Sequence, residues 1–319
     1  MTMNFDAQVY DRAAWGVIEV SDSDRLQFLH NQSTNDFKSL KPGQGCDTVF
    51  LTSTARTIDL ATAYVLEDSI LLLVSPNTQE KVIKFLDRYI FFADRVKLSD
   101  VTAQIATLSL IGEGSRAVLQ KLGAAEISDR PYASHHLFDL AGLAVRVAVG
   151  SGLALGGYTL ITQADQSAEL KKALLETGAE WMDDRAWEKL RIQQGRPMPD
   201  RELTDDYNPL EAGLWHTISF NKGCYIGQET IARLDTYKGV KQQLWGVKLS
   251  ALAELGTAVI GWAQKKWGTL TSIMATEDGA IGLAYIRTKA KGEAGTQVTV
   301  NEQVGELVDL PFVTREKQG

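Results

Sequence analysis

The sequence contains few of the residues that build disulfide frameworks or metal sites. Its 319 residues include only two cysteines, Cys46 and Cys224, and four histidines. The cysteines lie far apart, so no disulfide framework is indicated and a reducing compartment such as the cytoplasm is expected. No C-x-x-C motif and no paired His/Cys spacing occurs, which argues against a structural zinc site or a cluster bound wholly by this chain. A metal or cluster shared with a partner stays open, with Cys224 as its ligand.

Long apolar runs and an excess of positive charge are also missing. The longest apolar runs, such as residues 70–74, have the length of a strand and are too short to cross a bilayer. The net charge of −7 argues against broad nucleic-acid binding. The first residues have neither a basic region nor an apolar core, so no signal or transit peptide is expected. We therefore expect a cytoplasmic protein with no membrane and no direct nucleic-acid partner.

One region is locally basic in spite of the overall charge. Five cations there outnumber two carboxylates: Lys222, Arg233, Lys238, Lys241 and Lys248 against Glu229 and Asp235. Mixed charges of this kind are typical of a solvated face, and we favour that interpretation over a nucleic-acid site.

The apolar pattern predicts an α+β protein with a separate β-domain at its end. Predicted strands cover residues 15–20, 48–52, 57–66, 70–75, 101–111, 143–149 and 158–162. Predicted helices cover approximately residues 22–29, 77–91, 115–123, 167–177 and 183–195. After about residue 240 the pattern changes to short strands with glycine turns, which favours a small β-barrel. This length and pattern predict two or three domains.

The glycine-rich stretch at residues 150–157 does not fit a dinucleotide-binding fingerprint. That fingerprint needs a strand before it and a helix after it, so that the pyrophosphate meets the helix N-terminus. A strand is predicted to follow here, at residues 158–162, so we interpret the stretch as a hairpin or glycine-rich loop.

The most informative stretch covers residues 222–233 and reads KGCYIGQETIAR. Cations next to Cys224 favour its thiolate form, and a helix beginning near residue 227 would add the positive end of its dipole. The alternative is that Cys224 is a small buried apolar residue. Glu229 suits the start of this helix, and Arg233, four residues later, is placed to pair with it.

This stretch resembles the signature of the YgfZ-type folate-binding proteins, which are relatives of the glycine-cleavage T-protein, an aminomethyltransferase. That signature reads K-G-C-Y/F-x-G-Q-E-x-x-A/S-R. The matching residues are Lys222, Gly223, Cys224, Tyr225, Gly227, Gln228, Glu229, Ala232 and Arg233. Further resemblance lies at residues 24–29, 34–37, 40–43, 191–197, 209–212 and 267–272. The resemblance therefore spans most of the chain.

The resemblance implies a T-protein-like α+β fold, in which two α/β lobes surround a folate cleft and a β-barrel follows. Residues 1–238 would form the folate-binding region, with one lobe at roughly 24–105, and residues 239–319 would form the barrel. We expect a monomer.

The resemblance also implies a function: tetrahydrofolate binding in support of iron–sulfur cluster assembly or repair in client enzymes. Cys224 would be the reactive or ligating thiol, kept partly ionised by Lys222 and Arg233. The implied folate contacts are Asp59 and Arg191, with Tyr64 and Arg196 as weaker candidates. Two alternatives stay open: a folate-dependent aminomethyltransferase or demethylase, and an interaction module without a ligand.

Several of these positions also have structural interpretations. Asp59 fits a solvent-facing position in an alternating strand, and Arg191 fits a cation at a helix C-terminus. T-proteins carry a second aspartate where this chain has Leu60, and acidic residues where it has Leu155 and Thr159. The loss of these acids argues against the transferase alternative.

Overall fold

The computed structural model describes residues 7–316. Residues 1–6 and 317–319 lie outside this range. The expectation that no targeting peptide is present therefore falls partly on residues outside the described range. The chain forms two compact units. The first unit comprises the residues up to Phe50, Asp59–Asp184 and Asn221–Tyr225. The second unit comprises Leu51–Ile58, Arg185–Phe220 and the residues from Ile226 onward.

The strands within residues 7–316 are distributed along the whole chain. They are β1 (Gln8–Asp11), β2 (Trp15–Ser21), β3 (Gly45–Leu51), β4 (Thr57–Val65), β5 (Ser69–Pro76), β6 (Lys97–Asp100), β7 (Ile105–Ile111), β8 (His135–Leu140), β9 (Leu143–Val149), β10 (Gly157–Gln163), β11 (Glu180–Met182), β12 (Gln242–Leu249), β13 (Ala258–Ile260), β14 (Lys266–Thr276), β15 (Gly279–Arg287), β16 (Gln297–Val300) and β17 (Gln303–Val308).

The α-helices lie between these strands and precede the last six of them. They are α1 (Arg25–Gln32), α2 (Gln79–Asp87), α3 (Ser115–Lys121), α4 (Ser167–Glu176), α5 (Asp184–Gln194) and α6 (Gln228–Thr236). Short 3-10 helices occur at Ala125–Ile127, Ala164–Gln166, Trp215–Thr217, Trp262–Gln264 and Thr288–Ala290. No helix within residues 7–316 has both the length and the apolar character needed to span a membrane.

Two sheets form the frame of the first unit. One has the strand order β3-β4-β5-β2-β6 and the other β11-β1-β7-β10-β9-β8. Strand β4 is buried along its whole length, so both of its faces are covered. The apolar positions Val82, Phe85 and Leu86 of α2 recur at helical spacing and are buried. Phe85 meets Phe50 of β3 edge-on, with ring centroids 6.4 Å apart, so α2 packs on the first sheet.

The second unit contains a closed barrel with the strand order β12-β15-β14-β13-β16-β17. Its interior is filled by apolar side chains that include Val247, Leu270 and Leu307. Gly268 has no room for a side chain, because a Cβ atom there would lie 1.9 Å from the carbonyl oxygen of Tyr285. The predicted α+β class and C-terminal barrel are confirmed.

Most predicted elements are present, with shifted ends. Strand β9 has the predicted bounds, and β10 pairs with it antiparallel across residues 150–157, as expected of a hairpin. Helix α2 ends at Asp87 instead of residue 91, because the backbone turns there and Phe91 N donates to the side chain of Asp94. Strand β7 begins at Ile105 instead of residue 101, since Gln104 N closes a turn on Val101 O. The predictions missed β1, β6 and β11, which have too few residues for a clear period, and β8, whose burial does not alternate along the strand.

Candidate functional site

Lys222 anchors the signature segment to the end of helix α1. Its side chain is buried, and its ammonium donates to the carbonyl oxygens of His30, Ser33 and Asn35, with Nζ 2.7 Å from the last two. These carbonyls belong to the last turn of α1 and the residues after it, where backbone acceptors lack helical partners. The ammonium therefore caps a helix C-terminus, a position that favours a cation. Burial lowers the pKa of Lys222 to about 8, while nearby Asp36 opposes this shift.

Cys224 is an exposed free thiol. Buried residues flank the exposed pair: Lys222 and Tyr225 are buried, whereas Gly223 and Cys224 are exposed. The Lys222 ammonium also lies 4.8 Å from the centre of the Tyr225 ring, so the two inward side chains support each other. This arrangement holds the backbone on both sides of Cys224, and the exposure contradicts the buried interpretation of that residue. Ionisation of Cys224 by Lys222 stays a prediction, since the ammonium is directed at carbonyl oxygens.

The rest of the signature belongs to the second unit. Gly227 precedes helix α6 with φ +81°, and a Cβ atom there would lie 2.8 Å from Thr52 O. Glycine is therefore required by both backbone conformation and space. Gln228 begins the helix, and Glu229 lies in its first turn, as predicted. Within residues 7–316 no ion pair joins Glu229 to Arg233, so that expected pairing is wrong.

Asp59 is fully buried in strand β4 of the first unit. Its carboxylate accepts hydrogen bonds from Leu60 N, Ser75 N and Thr78 Oγ1 at 2.7–2.9 Å. These bonds tie β4 to the end of β5 and to the residue that precedes α2. Burial raises the pKa of Asp59, and the bonds from Ser75 and Thr78 oppose that shift. The interpretation of Asp59 as a solvent-facing residue is wrong, because its strand is covered on both faces.

Arg191 lies late in α5 and is buried in the second unit. Its Nε and Nη2 donate to the two carboxylate oxygens of Glu188 at 2.7 and 2.5 Å. Nη1 donates to Glu202 and to Arg196 O, and Nη2 also donates to Ser272 Oγ. All five N–H groups of the guanidinium thus have partners. Burial works against the charge, yet Glu188 and Glu202 outweigh it and the pKa of Arg191 is raised.

Glu202 is the residue of this cluster that sequence reasoning missed. It is 0% exposed and accepts from Thr271 Oγ1 and Ser272 Oγ at 2.7 and 2.6 Å, as well as from Arg191. Thr271 and Ser272 lie in the family-like segment 267–272. A signal was present, because Glu202 opens an acidic loop eleven residues after Arg191.

Tyr64 and Arg196, the weaker folate candidates, are buried as well. Tyr64 meets the ring of His135 edge-on, with centroids 5.6 Å apart, and the Arg196 guanidinium lies 5.4 Å from the centre of the Phe312 ring. Each predicted folate contact would therefore have to exchange a partner inside the protein for one on the ligand. In this arrangement Asp59, Tyr64, Arg191 and Arg196 fit poorly as direct folate ligands, and their predicted contacts stay untested.

The glycine-rich loop between β9 and β10 supplies no carboxylate. Thr159 is buried and its hydroxyl donates to Gly150 O at 2.8 Å. Leu155 contributes its carbonyl oxygen, which accepts from Ser151 Oγ at 2.7 Å. The positions that are acidic in T-proteins serve here to shape the loop.

A pocket with basic walls lies wholly within the second unit, and we call it the basic pocket. Its volume is about 930 Å³. Its charged lining residues are Arg56, Arg233, Lys238, Lys241, Arg287 and Lys289, with Asp206 and Glu211. The sequence identified Arg233, Lys238 and Lys241 as part of a basic region but missed the cations from distant segments. Arg233, predicted as a companion of Cys224, thus lines a pocket of the second unit, whereas Cys224 belongs to the first.

No group of three or more His, Cys, Asp or Glu side chains within residues 7–316 is arranged to hold a metal ion. Cys46, the other cysteine, is a partly buried free thiol, and burial raises its pKa well above the usual range. Of the two thiols, Cys224 is therefore the one available to a partner at the surface.

The chain matches known proteins along most of its length. The model of the GCVT N-terminal domain family matches residues 1–222. A chloroplastic protein of Arabidopsis thaliana, to which its name attributes a transferase function, is 46% identical over 311 residues, covering 97% of this chain and 72% of that protein. An aminomethyltransferase of Bacillus velezensis is 28% identical over 328 residues, covering 98% of this chain and 88% of the relative.

A solved structure shows the same fold. The glycine cleavage system aminomethyltransferase T of Bartonella henselae superimposes with a TM-score of 0.82 at 20% identity, covering 98% of this chain and 88% of its own. The predicted T-protein-like fold is thereby confirmed. The chain belongs to the GCVT N-terminal domain family.

Proposed function

We propose that this protein binds tetrahydrofolate and supports the assembly or repair of iron–sulfur clusters in client enzymes, with Cys224 as its reactive or ligating thiol. The observation that carries the proposal is the exposed thiol of Cys224 in a segment fixed by the buried Lys222 and Tyr225. A thiol needed only for packing would be buried.

The chemistry suits a shared cluster. A thiolate is a soft ligand for iron, and clusters are held by several cysteines together. The described residues offer no set of three metal-binding side chains, so the remaining ligands would come from the client or assembly protein. Cys224 would then hold one iron of the partner's cluster while the partner supplies the other ligands.

The folate part of the proposal is supported by family membership and by relatives named as aminomethyltransferases. The folate site is proposed to involve Asp59, Tyr64, Arg191 and Arg196. Their side chains already have hydrogen bonds or ring contacts within the protein, which favours a role in holding the residues that contact folate. The expected cytoplasmic location and monomeric state belong to the proposal too. One relative is named as chloroplastic, so its name does not support the cytoplasmic location.

A folate-dependent aminomethyltransferase or demethylase is the second candidate. The observation in its favour is that aminomethyltransferases align with 98% of this chain. Against it stand Leu60, Leu155 and Thr159 at positions where T-proteins have acids, since proton transfer and folate orientation depend on placed carboxylates. Turnover of tetrahydrofolate with a lipoyl-bound aminomethyl donor would establish this alternative.

The primary test separates the thiol from the folate. The purified protein is titrated calorimetrically with tetrahydrofolate, and cells lacking the protein are complemented with wild type, Cys224→Ser or Cys46→Ser. We expect folate binding by wild type and by both variants, and restored client-enzyme activity with wild type and Cys46→Ser but not with Cys224→Ser. Full complementation by Cys224→Ser would refute the thiol role. Absence of folate binding by wild type, with complementation intact, would leave an interaction module without a ligand.

A further inference from the structure

The basic pocket concentrates positive charge in an acidic protein. Six cations line it against the two carboxylates Asp206 and Glu211, although the whole chain has a net charge of −7. Like charges brought together repel one another, so such a cluster lowers stability unless a partner compensates it. The cations come from separate stretches of the second unit, around residues 56, 233–241 and 287–289. Folding, and not one basic run of sequence, gathers them.

The protein neutralises these cations only in part. Burial raises the pKa of Glu211, and Arg56 and Lys241 oppose that shift, so these two cations interact with its carboxylate. Among residues 7–316, none of the six forms an ion pair with a carboxylate. Arg56 donates to the carbonyl oxygen of Asp206 at 2.8 Å, which orients its guanidinium without forming an ion pair. The contrast with Arg191, whose N–H groups are all engaged, is clear. The charge in the basic pocket is therefore available to an external anion.

Hydrogen bonds to the backbone fix the walls of this pocket. Gln242 of β12 lies opposite Arg287 of β15 in the barrel register. Thr288, which follows β15, forms two hydrogen bonds to the loop before β12. Its Oγ1 donates to Val240 O at 2.8 Å, and its backbone N donates to Lys241 O at 2.9 Å. These bonds hold the cations at the end of β15 beside those before β12, so the site is formed before a ligand arrives.

Lys238 occupies a position that normally suits glycine. Helix α6 ends in a Schellman motif, in which Gly239 N bonds to Leu234 O and Lys238 N bonds to Asp235 O. The residue between the cap and Gly239 adopts the left-handed conformation, and here it is Lys238 with φ +48°. A non-glycine side chain is strained in this region. Lys238 therefore adds its charge to the pocket lining at a cost in backbone strain.

The lining also indicates the chemistry of the ligand. Three arginines offer planar donor pairs for oxyanions, and the hydroxyl groups of Thr54 and Thr230 add neutral donors. No aromatic side chain lines the pocket within the described residues, so a nucleobase or pterin ring would find no stacking surface. The volume lies in the range of small-molecule sites.

We propose that the basic pocket is a binding site for a small, phosphate-rich anion without an aromatic ring. The site is separate from the proposed thiol and folate functions and stands or falls independently of them. Phosphate oxygens accept hydrogen bonds from arginine, lysine and hydroxyl groups together, which matches this donor set better than a hydrophobic or aromatic ligand does.

The test is calorimetric titration of the full-length protein with inorganic tripolyphosphate, and with citrate as a carboxylate anion. We expect saturable binding of one tripolyphosphate that weakens with added salt and exceeds citrate binding by at least about fivefold. Lys241→Ala and Lys289→Ala should each weaken it about fivefold to tenfold. Lys248→Ala is the matched control, because Lys248 is exposed on β12 and does not line the pocket; it should change affinity less than twofold.

Lys238→Gly provides a readout that surface charge alone would not give. Since glycine relieves the left-handed strain, the midpoint of thermal unfolding should rise by about 2 °C while tripolyphosphate binding weakens about fivefold. No saturable binding, or equal weakening by Lys248→Ala, would overturn the proposal. Citrate binding as tightly as tripolyphosphate would refute the phosphate preference. Tighter binding of a short single-stranded RNA through the same lysines would refute a small-molecule site.

Discussion

Replacing Lys222 by methionine tests whether its ammonium anchors the signature segment. Methionine keeps much of the apolar stem but removes the donor to the carbonyl oxygens of His30, Ser33 and Asn35. The three carbonyls then lose their shared cation, and the buried ones cannot be fully rehydrated. The thiol segment and the end of α1 should loosen together.

The magnitude follows from two opposing contributions. Hydrogen bonds from a charged group contribute roughly 1.5–3 kcal/mol each, so three of them contribute roughly 4.5–9 kcal/mol. Burial of the ammonium, reflected in a pKa of about 8 against the usual 10.5, costs about 3 kcal/mol. The difference between the two contributions is roughly 1.5–6 kcal/mol. Because the carbonyl of the half-buried Asn35 can regain water, the expected loss lies in the lower half of that difference. We expect Lys222→Met to lower the free energy of unfolding by about 3 kcal/mol.

Urea unfolding of the full-length protein at neutral pH measures this change, with hydrogen exchange of residues 28–35 as a local readout. The matched control is Lys81→Met, which removes an exposed lysine from the same unit and should cost less than about 0.5 kcal/mol. A loss below about 1 kcal/mol for Lys222→Met, or one equal to that of the control, would show that the ammonium is not the anchor.

Two further predictions concern the first unit. Burial, with Arg146 as a second cause, lowers the pKa of His135 to about 4, so its contribution to stability is present above the unfolded value of 6.5 and is lost as the pH falls towards 4. Urea unfolding at several pH values should show that the free energy of unfolding of wild type falls by about 3 kcal/mol over this window, and that of His135→Gln by much less. His136→Gln, which changes an exposed histidine, should follow wild type. An equal dependence on pH in wild type and His135→Gln would contradict the assignment. In the glycine-rich loop Gly152 has φ +81°, and a Cβ atom there would lie 2.1 Å from Nη2 of the buried Arg12, whereas a Cβ atom at Gly156 would meet nothing within 4 Å. Thermal unfolding should therefore show Gly152→Ala destabilised by about 2 kcal/mol or more and Gly156→Ala nearly unchanged, and similar midpoints would refute the steric argument.

Local pattern accounts for the part of the fold that could be predicted. Strand β9 alternates in burial and the residues of α2 recur at helical spacing, so both can be detected within one window of sequence. The short strand β11 cannot, because its three residues are defined by pairing with β1 far away in the chain. Similarly, no sequence window contains both Lys222 and the carbonyl oxygen of His30, which are 192 residues apart.

Motif resemblance marks individual residues for attention but does not give their partners. Arg191 was assigned to folate because arginine pairs with carboxylates, and in the structure it does pair with carboxylates, those of Glu188 and Glu202. The chemistry of the side chain was predictable, but which carboxylate it meets depends on packing. Glu202 is fully buried, so without Arg191 it would be an unpaired charge in the interior, a loss that typically costs 3–5 kcal/mol.

The same reasoning separates the two cations of the signature. Lys222 and Arg233 are eleven positions apart, and by residue type alone they are equivalent sources of positive charge near Cys224. Lys222 is buried and its ammonium donates to three carbonyl oxygens of the first unit. Arg233 is exposed and lines a pocket of the second unit. A buried cation with a full set of acceptors stabilises structure, and an exposed cation without an ion-pair partner is free to bind an anion. From burial and partners, neither of which can be read from the motif, we expect Lys222 to position the thiol segment and Arg233 to contribute to the proposed anion site, while the effect of Arg233 on Cys224 stays a prediction.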